Sequence, residues 1–525
     1  MGRVPLSIPL AVLIALILIG DSCGWMRPQE PPAFSGGLFS AYVLSVREAE
    51  TDGYLMVAQI DSINSSAVLP FKARLHFLND YPEPIAGMRL RFRGRLQPLA
   101  APPAVPDIVD FNAELRRRGV VASAAVARDS LVYLARTNSF RYFCAEANDA
   151  ALIRLKRSGL NAQSIDILAA MLLGRSDSLT DETRAMFSAA GLSHLLALSG
   201  MHTGIIAMII SCALWPLYFG RHVRTRLLLT MLALFAFAAF TGFIPSVTRA
   251  VIMAVVYMTG RIIGRKSPAL NSLCLAAIII LVISPQELFA AGFQMSFAAV
   301  LGIILFFPVI DSVNRREHPR LYALVSFPAL SLSAMILTGF VAAYHFHSYP
   351  LYFLFANLLI VPLVPLAISS GIISILFETP FLSDYLIGAI DWVAQTCAAF
   401  PGAVLGGLYP PAWLTVALVV TAALLGLALS GGKKFLACES AVLLVGLMVI
   451  AAVRPAPIYP EKELYTIVEP RSTQQILVAN GECVVITDAT SAADVADIHR
   501  RYALLLRDFM AKRNINKLTI KRNDD

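Results

Sequence analysis

The chain has 525 residues, of which 57% are hydrophobic and 15% charged, against about 45–50% and about 25% in soluble globular domains. A mean hydropathy of +0.67 and continuous apolar runs of about twenty residues exclude a soluble enzyme, and runs that do not alternate exclude an outer-membrane β-barrel. The net charge of +8 is what orienting cytoplasmic loops in a polytopic membrane protein requires, and does not by itself imply nucleic acid.

Residues 1–20 hold a short apolar run, Pro5 to Gly20, after Arg3. No small-x-small cleavage site follows, and Gly20, Asp21 and Ser22 make a poor lipobox before Cys23, so an uncleaved transmembrane anchor is expected. Residue 21 onward then lies outside the cytoplasm. Residues 21–145 are predicted to form a small β-barrel, with strands at Phe39–Val46, Tyr54–Asp61, Lys72–Phe77, Met88–Gln97, Gly119–Ala124 and Ser130–Ala135. Asp-Gly, Asn-Asp, Pro and Gly signals separate them. Residues 146–190 read as a helical connector, with Ile165, Leu168, Met171 and Leu172 at helical spacing before Gly174.

About ten spans are expected in the core, residues 192–453: 192–219, 227–243, 246–263, 268–284, 287–310, 321–344, 350–377, 385–404, 411–430 and 435–453. The positive-inside rule supports them. Arg221, Arg224 and Arg226 follow the first span, Arg261, Arg265 and Lys266 the third, Arg315, Arg316 and Arg320 the fifth, and Lys433 and Lys434 the ninth. Loops on the other side lack Lys and Arg. This requires 385–404 to cross, although Asp391 and Gln395 also suit a re-entrant segment. The tail, 454–525, is then outside as well, with strands at Gln475–Val478 and Cys483–Asp488 and a basic helix at Ala492–Lys512.

Within the β-region, Met88 to Leu96 reads MRLRFRGRL. A period of two puts Arg89, Arg91, Arg93 and Arg95 on one face, and Lys72 and Arg74 repeat the pattern on the preceding strand. Such a basic stripe outside the membrane suits a row of phosphates, or else a solvated charged edge. The densest polar cluster in the core is GLSHLLALSGMHTG, Gly191 to Gly204, with Ser193, His194, Ser199 and His202. Polar groups at membrane depth are costly unless they face a partner or a wet cavity, so these are candidate channel-lining residues, together with Arg249, Gln294, Asn357 and Asp391. Arg249 is expected to snorkel outward or to pair with Asp391 or Glu439. His345 and His347 form an HxH without further grouped ligands, and no metal site or cofactor is expected. Cys23, Cys144 and Cys483 fall in polar parts, where one pair can form a disulfide if that side is oxidising.

The runs LLALSGMHTG, PSVTRAVIM at Pro245–Met253, SPQELFAAGFQMSFAAVLG at Ser284–Gly302 and FHSYPLYFLFANLLIVPLV at Phe346–Val364 resemble the core of the ComEC family of competence proteins. The resemblance covers residues 36–453 in order. It implies a cytoplasmic-membrane channel that passes single-stranded DNA inward during natural transformation, after a surface receptor delivers duplex. It also implies that the small barrel is OB-like and that a cytoplasmic ATPase or single-strand-binding proteins assist, since no GxxxxGK[ST] motif occurs here. Many family members carry a metallo-β-lactamase-like domain with an HxHxDH motif; after residue 454 the only histidine is His499. A separate nuclease, or none, is therefore expected, and the chain itself is not expected to be an enzyme. Two other readings are a secondary transporter of a small solute and an intramembrane serine hydrolase using Ser199 with His202 or His194.

Overall fold

The computed structural model describes residues 36–48, 53–77, 84–99, 112–126, 130–215, 222–264, 269–310, 319–453, 462–469, 472–479, 482–487 and parts of 502–522. The expected anchor, Cys23 and most of the expected tail helix lie outside the described residues.

The N-terminal part is a β-sheet domain. Its strands are β1 (Gly36–Glu48), β2 (Tyr54–Ile63), β3 (Ser66–Phe77), β4 (Arg89–Arg95), β5 (Gln97–Pro98), β6 (Val120–Val126) and β7 (Leu131–Ala135), with a short helix α1 (Ala113–Arg117) between β5 and β6. Each of the six expected strands has a counterpart among them. The order across the sheet is β5-β6-β3-β2-β1-β4-β7. β3 and β6 run parallel, and the other pairs are antiparallel. β4 and β5 are almost one strand, separated only by Leu96. Its first part pairs with β1 and its last two residues with β6. Alternation drives the packing: Leu90 and Phe92 turn inward onto Phe39, Val43, Met56, Ile60 and Leu75. Phe92 is wholly buried and stacks on Phe39 with ring centroids 5.3 Å apart.

Helix α2 (Phe140–Arg157) begins at Phe140, earlier than the expected 146, because Ser139 caps it by accepting the Tyr142 N–H at 3.2 Å. Gly87 lies against this first turn at φ +93, where a Cβ would sit 2.5 Å from Tyr142 N, so the strand–helix junction requires glycine. Helix α3 (Ala162–Leu168) continues into a π-helical turn, Ala169–Leu173, stopped by Gly174 at φ +76. Helix α4 (Asp181–Ala189) starts at its Thr180 cap.

The core helices are α5 (Gly200–Ala213), α6 (Val223–Phe240), α7 (Pro245–Ile262), α8 (Ala269–Ile283), α9 (Ala291–Ile310), α10 (Pro319–Phe346), α11 (Phe353–Ile360), α12 (Val364–Phe377), α13 (Ser383–Ala399), α14 (Ala412–Ser430) and α15 (Lys434–Val453). They fall on the ten expected segments, with one segment split into α11 and α12. Among the described residues, four helices are long and apolar enough to cross a membrane, and five if the pair α11 and α12, bent by 49°, counts as one. By length and composition, four or five of the about ten expected spans are supported. The segment from 192 becomes helical only at Gly200, so α5 has 14 residues and reaches about 21 Å, short of a hydrocarbon core of about 30 Å. α9 and α10 cross closely at Gly302, where a Cβ would meet the Ser333 carbonyl oxygen. Strands β8 (Ser348–Pro350) and β9 (Val404–Gly406) pair and tie the start of α11 to the end of α13.

The tail contains more structure than the two strands expected. β10 (Lys462–Glu469), β11 (Ser472–Ala479), β12 (Glu482–Thr487) and β13 (Lys517–Arg522) form one sheet in that order, with β13 parallel to β12. Tyr502, Leu506 and Phe509 are buried with Ile476, Cys483 and Val485. The extra strands are β10 and β13, and they escape a hydropathy reading because KELYTIVE and KLTIKR intersperse charged residues among their apolar ones. Cys144 is a buried free thiol, and Cys483 is buried as well.

Candidate functional site

Two places concentrate charge and polarity. The first is the outer face of β4, where Arg89, Arg91, Arg93 and Arg95 are all exposed while Leu90 and Phe92 are buried. Successive exposed residues on a strand are about 6.7 Å apart, so the four guanidinium groups form a ladder. Arg89 pairs with Asp61 at 3.1 Å, across an exposed surface where such a pair is weak and salt-screened. Among the described residues, Arg91, Arg93 and Arg95 make no ion pair. Lys72 and Arg74 do not extend this ladder side by side: β3 is separated from β4 by β2 and β1. Lys72 instead donates to the Arg118 carbonyl at 2.8 Å. Burial, then the positive charges of Arg118 and Arg141, hold its ammonium below the ordinary lysine value. Arg74 donates to Asn112 Oδ1 at 3.3 Å, and burial lowers its guanidinium from the ordinary value.

The second place is the core, where the four sequence motifs meet one another through polar or close contacts. The first motif, Gly191 to Gly204, breaks from the expected helix. Residues 192–199 are non-helical, and Ser199 caps α5. Its N–H and Oγ both reach His202 Nδ1, at 3.2 and 2.8 Å. With Nδ1 accepting, the proton sits on Nε2, which is buried and has no hydrogen-bond partner among the described residues. A serine hydrolase would need a third group there to orient the imidazole. Ser193 is exposed at the start of this stretch.

The first motif touches the second where Ser246 Oγ donates to the Leu198 carbonyl oxygen. The second touches the third where Arg249, only 7% exposed, donates to Glu287 Oε2 at 3.1 Å. This corrects the expected partners and the expected snorkelling. Asp391 hydrogen-bonds Gln395 at 2.9 Å, and Glu439 is exposed. Gly292 makes room for the ion pair, since a Cβ there would lie 2.9 Å from Arg249 Nη2. The third reaches the residue directly before the fourth, where His345 Nε2 meets Gln294 Oε1 at 2.8 Å, while Gln294 Nε2 donates to the Leu288 carbonyl oxygen. The fourth returns to the first: the His194 ring packs edge-on against Phe353 at 5.9 Å, and Gly191 lies so close to Pro350 and Phe353 that a Cβ would be 2.8 Å from each. With His345, which adjoins the fourth motif, the four motifs therefore close a circuit of contacts, 1 to 2 to 3 to 4 and back to 1.

Asn357 and Asp391 are buried, each with one side-chain oxygen lacking a partner among the described residues. His347 stacks on Tyr409 and turns away from His345's partner. Glu287 was missed by sequence reasoning because it stands at the very start of the expected span 287–310, where a charged end residue is ordinary. Its presence within the third motif was the available signal.

Residues 171–431 match the family model described as Competence protein. The chain is also 30% identical over 295 residues to ComE operon protein 3 of Bacillus subtilis (strain 168), a match covering 56% of this chain and 36% of that protein. This chain thus corresponds to little more than a third of that relative's length. No solved structure matches it significantly. The region that forms the contact circuit is the region that matches, and residues 171–431 are the core of a member of the competence protein family.

Proposed function

We propose that the chain is a membrane channel that passes single-stranded DNA across the cytoplasmic membrane during natural transformation. The observation that carries this reading is the closed circuit of the four motifs, which gathers Ser199, His202, Arg249, Glu287, Gln294 and His345 within an otherwise apolar core. A phosphate-bearing strand cannot cross hydrocarbon unpaired, so it needs a path whose polar groups are held in place by the surrounding helices. In this reading Ser193, His194, Ser199, His202, Arg249, Gln294, Asn357 and Asp391 line or frame the path, and the bent pair α11 and α12 is one broken span. The shorter core helices then cross together with their non-helical extensions, giving about ten crossings besides the N-terminal anchor.

The β-domain, 21–145, is placed outside, joined through 146–190 to the core at 192–453, with 454–525 outside as well. It is read as an OB-like barrel. The support is that the β4–β5 run pairs with β1 at one end and β6 at the other, which joins the two sides of the sheet. Its arginine ladder gathers the strand. A surface DNA receptor, a cytoplasmic ATPase or single-strand-binding proteins, and a separate nuclease are the proposed partners, with the bilayer around the core.

The test is uptake of fluorescent duplex DNA by a deletion strain complemented with wild type, Arg249→Met or an Arg91→Glu/Arg93→Glu variant. Label in the cytoplasm and transformants are scored separately from label outside. The deletion and Arg249→Met are expected to hold label outside and yield no transformants. A deletion strain that imports and transforms normally would overturn the proposal in favour of small-solute transport.

A further inference from the structure

The arginine ladder ends in a notch. A cavity of about 430 Å³ opens on the outer face of the β-domain where the β4–β5 run leaves β1 and joins β6, and Arg74, His76, Arg95, Gln97 and Ser123 supply its polar lining. Strand register explains how residues so distant in sequence converge. Arg74 on β3 is the direct partner of Ser123 on β6, and Ser123 is the direct partner of Gln97 on β5. The three form one row across three strands, with strands about 4.8 Å apart, so Arg74 and Gln97 face each other across about 10 Å with the small Ser123 between them. Arg95 stands two residues before Gln97 on the same face, and His76 two residues after Arg74.

The donor set is specific. Two guanidinium groups, an amide, a hydroxyl and an imidazole surround a space bordered by Leu55 and alanines, and among the described residues no carboxylate lines it. Among the described residues neither arginine has an acidic partner. His76 Nε2 is shielded from solvent and has no hydrogen-bond partner among the described residues. Although Arg74 also donates to Asn112 Oδ1, an unpartnered imidazole nitrogen and uncompensated positive charge of this kind call for an anion with several acceptor oxygens, and guanidinium forks match phosphoryl oxygens.

We propose that this notch is a phosphoryl-binding site that seats one phosphoryl group of a nucleic-acid strand lying along the β4 ladder. This rests on the reading of the β-domain as a DNA-gathering surface. The ladder of Arg89, Arg91 and Arg93 follows the strand backbone; the notch, ringed on three sides, holds one group and sets the register. The phosphoryl group belongs either to the strand's terminus, as a monoester, or to its backbone, as a diester.

The test uses the full chain in nanodiscs and measures anisotropy of labelled oligothymidylates ending in a phosphate or a hydroxyl, with inorganic pyrophosphate as competitor. If the terminus is seated, the phosphate-ended strand binds about tenfold more tightly, pyrophosphate removes that preference, and Arg74→Gln or the exposed Gln97→Glu abolishes it. If a backbone diester is seated, both oligomers weaken equally in these variants and the salt slope falls by about 0.7, the value for one phosphate on a single strand. Binding by Gln97→Glu that matches wild type for both oligomers, with no competition by pyrophosphate, overturns the notch while leaving the ladder intact. If wild type binds neither oligomer, the DNA-gathering reading fails, and direct titration with pyrophosphate decides the notch separately: saturable binding lost in Gln97→Glu supports it, and none overturns it.

Discussion

The β-domain and the core use charged and polar residues in opposite ways. On β4, arginines alternate with buried apolar residues and stand in water, where hydration offsets their charge and they remain available to a passing anion. In the core, Arg249 is buried and held by Glu287 of another motif, and Gln294 is held by His345, which adjoins the fourth motif. A charge on the outer sheet therefore acts by itself, whereas a polar group in the core acts as a member of a set. Substitutions should be locally contained in the first region and propagate around the circuit in the second.

The largest expected effect is in the core. Arg249→Ala strands the Glu287 carboxylate, and breaking a buried pair this way costs about 3–5 kcal/mol. The double change Arg249→Met/Glu287→Met should regain most of that stability without regaining uptake, as read by thermal unfolding in detergent and by transformant counts. Equal stability of the single and double variants would show that the two residues do not act as a pair. Comparable in stability but confined to the other region, Phe92→Ala removes a fully buried ring stacked on Phe39 and should cost about 3–5 kcal/mol. Protease nicking of strands 36–98 should rise while the core stays resistant; a core that loosens equally would join the two regions into one folding unit.

A smaller effect is expected from Arg91→Glu/Arg93→Glu. Single-strand affinity should fall and its salt slope should flatten by about 0.7 for each phosphate that is no longer neutralised, with no change in thermal stability. An unchanged slope would take the ladder out of DNA binding. The smallest concerns Lys72, whose value in the fold lies below that of the unfolded chain. Between those two values the unfolded state binds more protons, so stability rises with pH and reaches its full value above the unfolded lysine value; it is lost as pH falls through the folded value. Lys72→Gln should remove that alkaline rise in a pH series of unfolding midpoints. An identical pH profile would place the titration elsewhere.

Much of the β-domain was legible because a strand's side-chain period is a local property: MRLRFRGRL assigns its own inside and outside faces before any partner strand is known. The ten apolar core segments were legible for the same reason, since burial in hydrocarbon is read off composition. The helix start at Gly200 was harder. LSHLLALS is as apolar as a helix interior, and only the contact of Ser199 with His202 and the tight packing of Gly191 on Pro350 and Phe353 hold it non-helical. The two extra tail strands, β10 and β13, were hidden by the charged residues in their sequences.

The sequence by itself therefore determined the membrane class, the alternating arginine face of β4 and the motifs that mark the core, because each depends on residues a few positions apart. Tertiary structure alone decided that Arg249 meets Glu287, that Gln294 meets His345, and that Arg74, Ser123 and Gln97 share one row. Those contacts join residues from 26 to 51 positions apart. Which side chains meet over such distances depends on how helices cross and in what order strands pair, and no local periodicity encodes either.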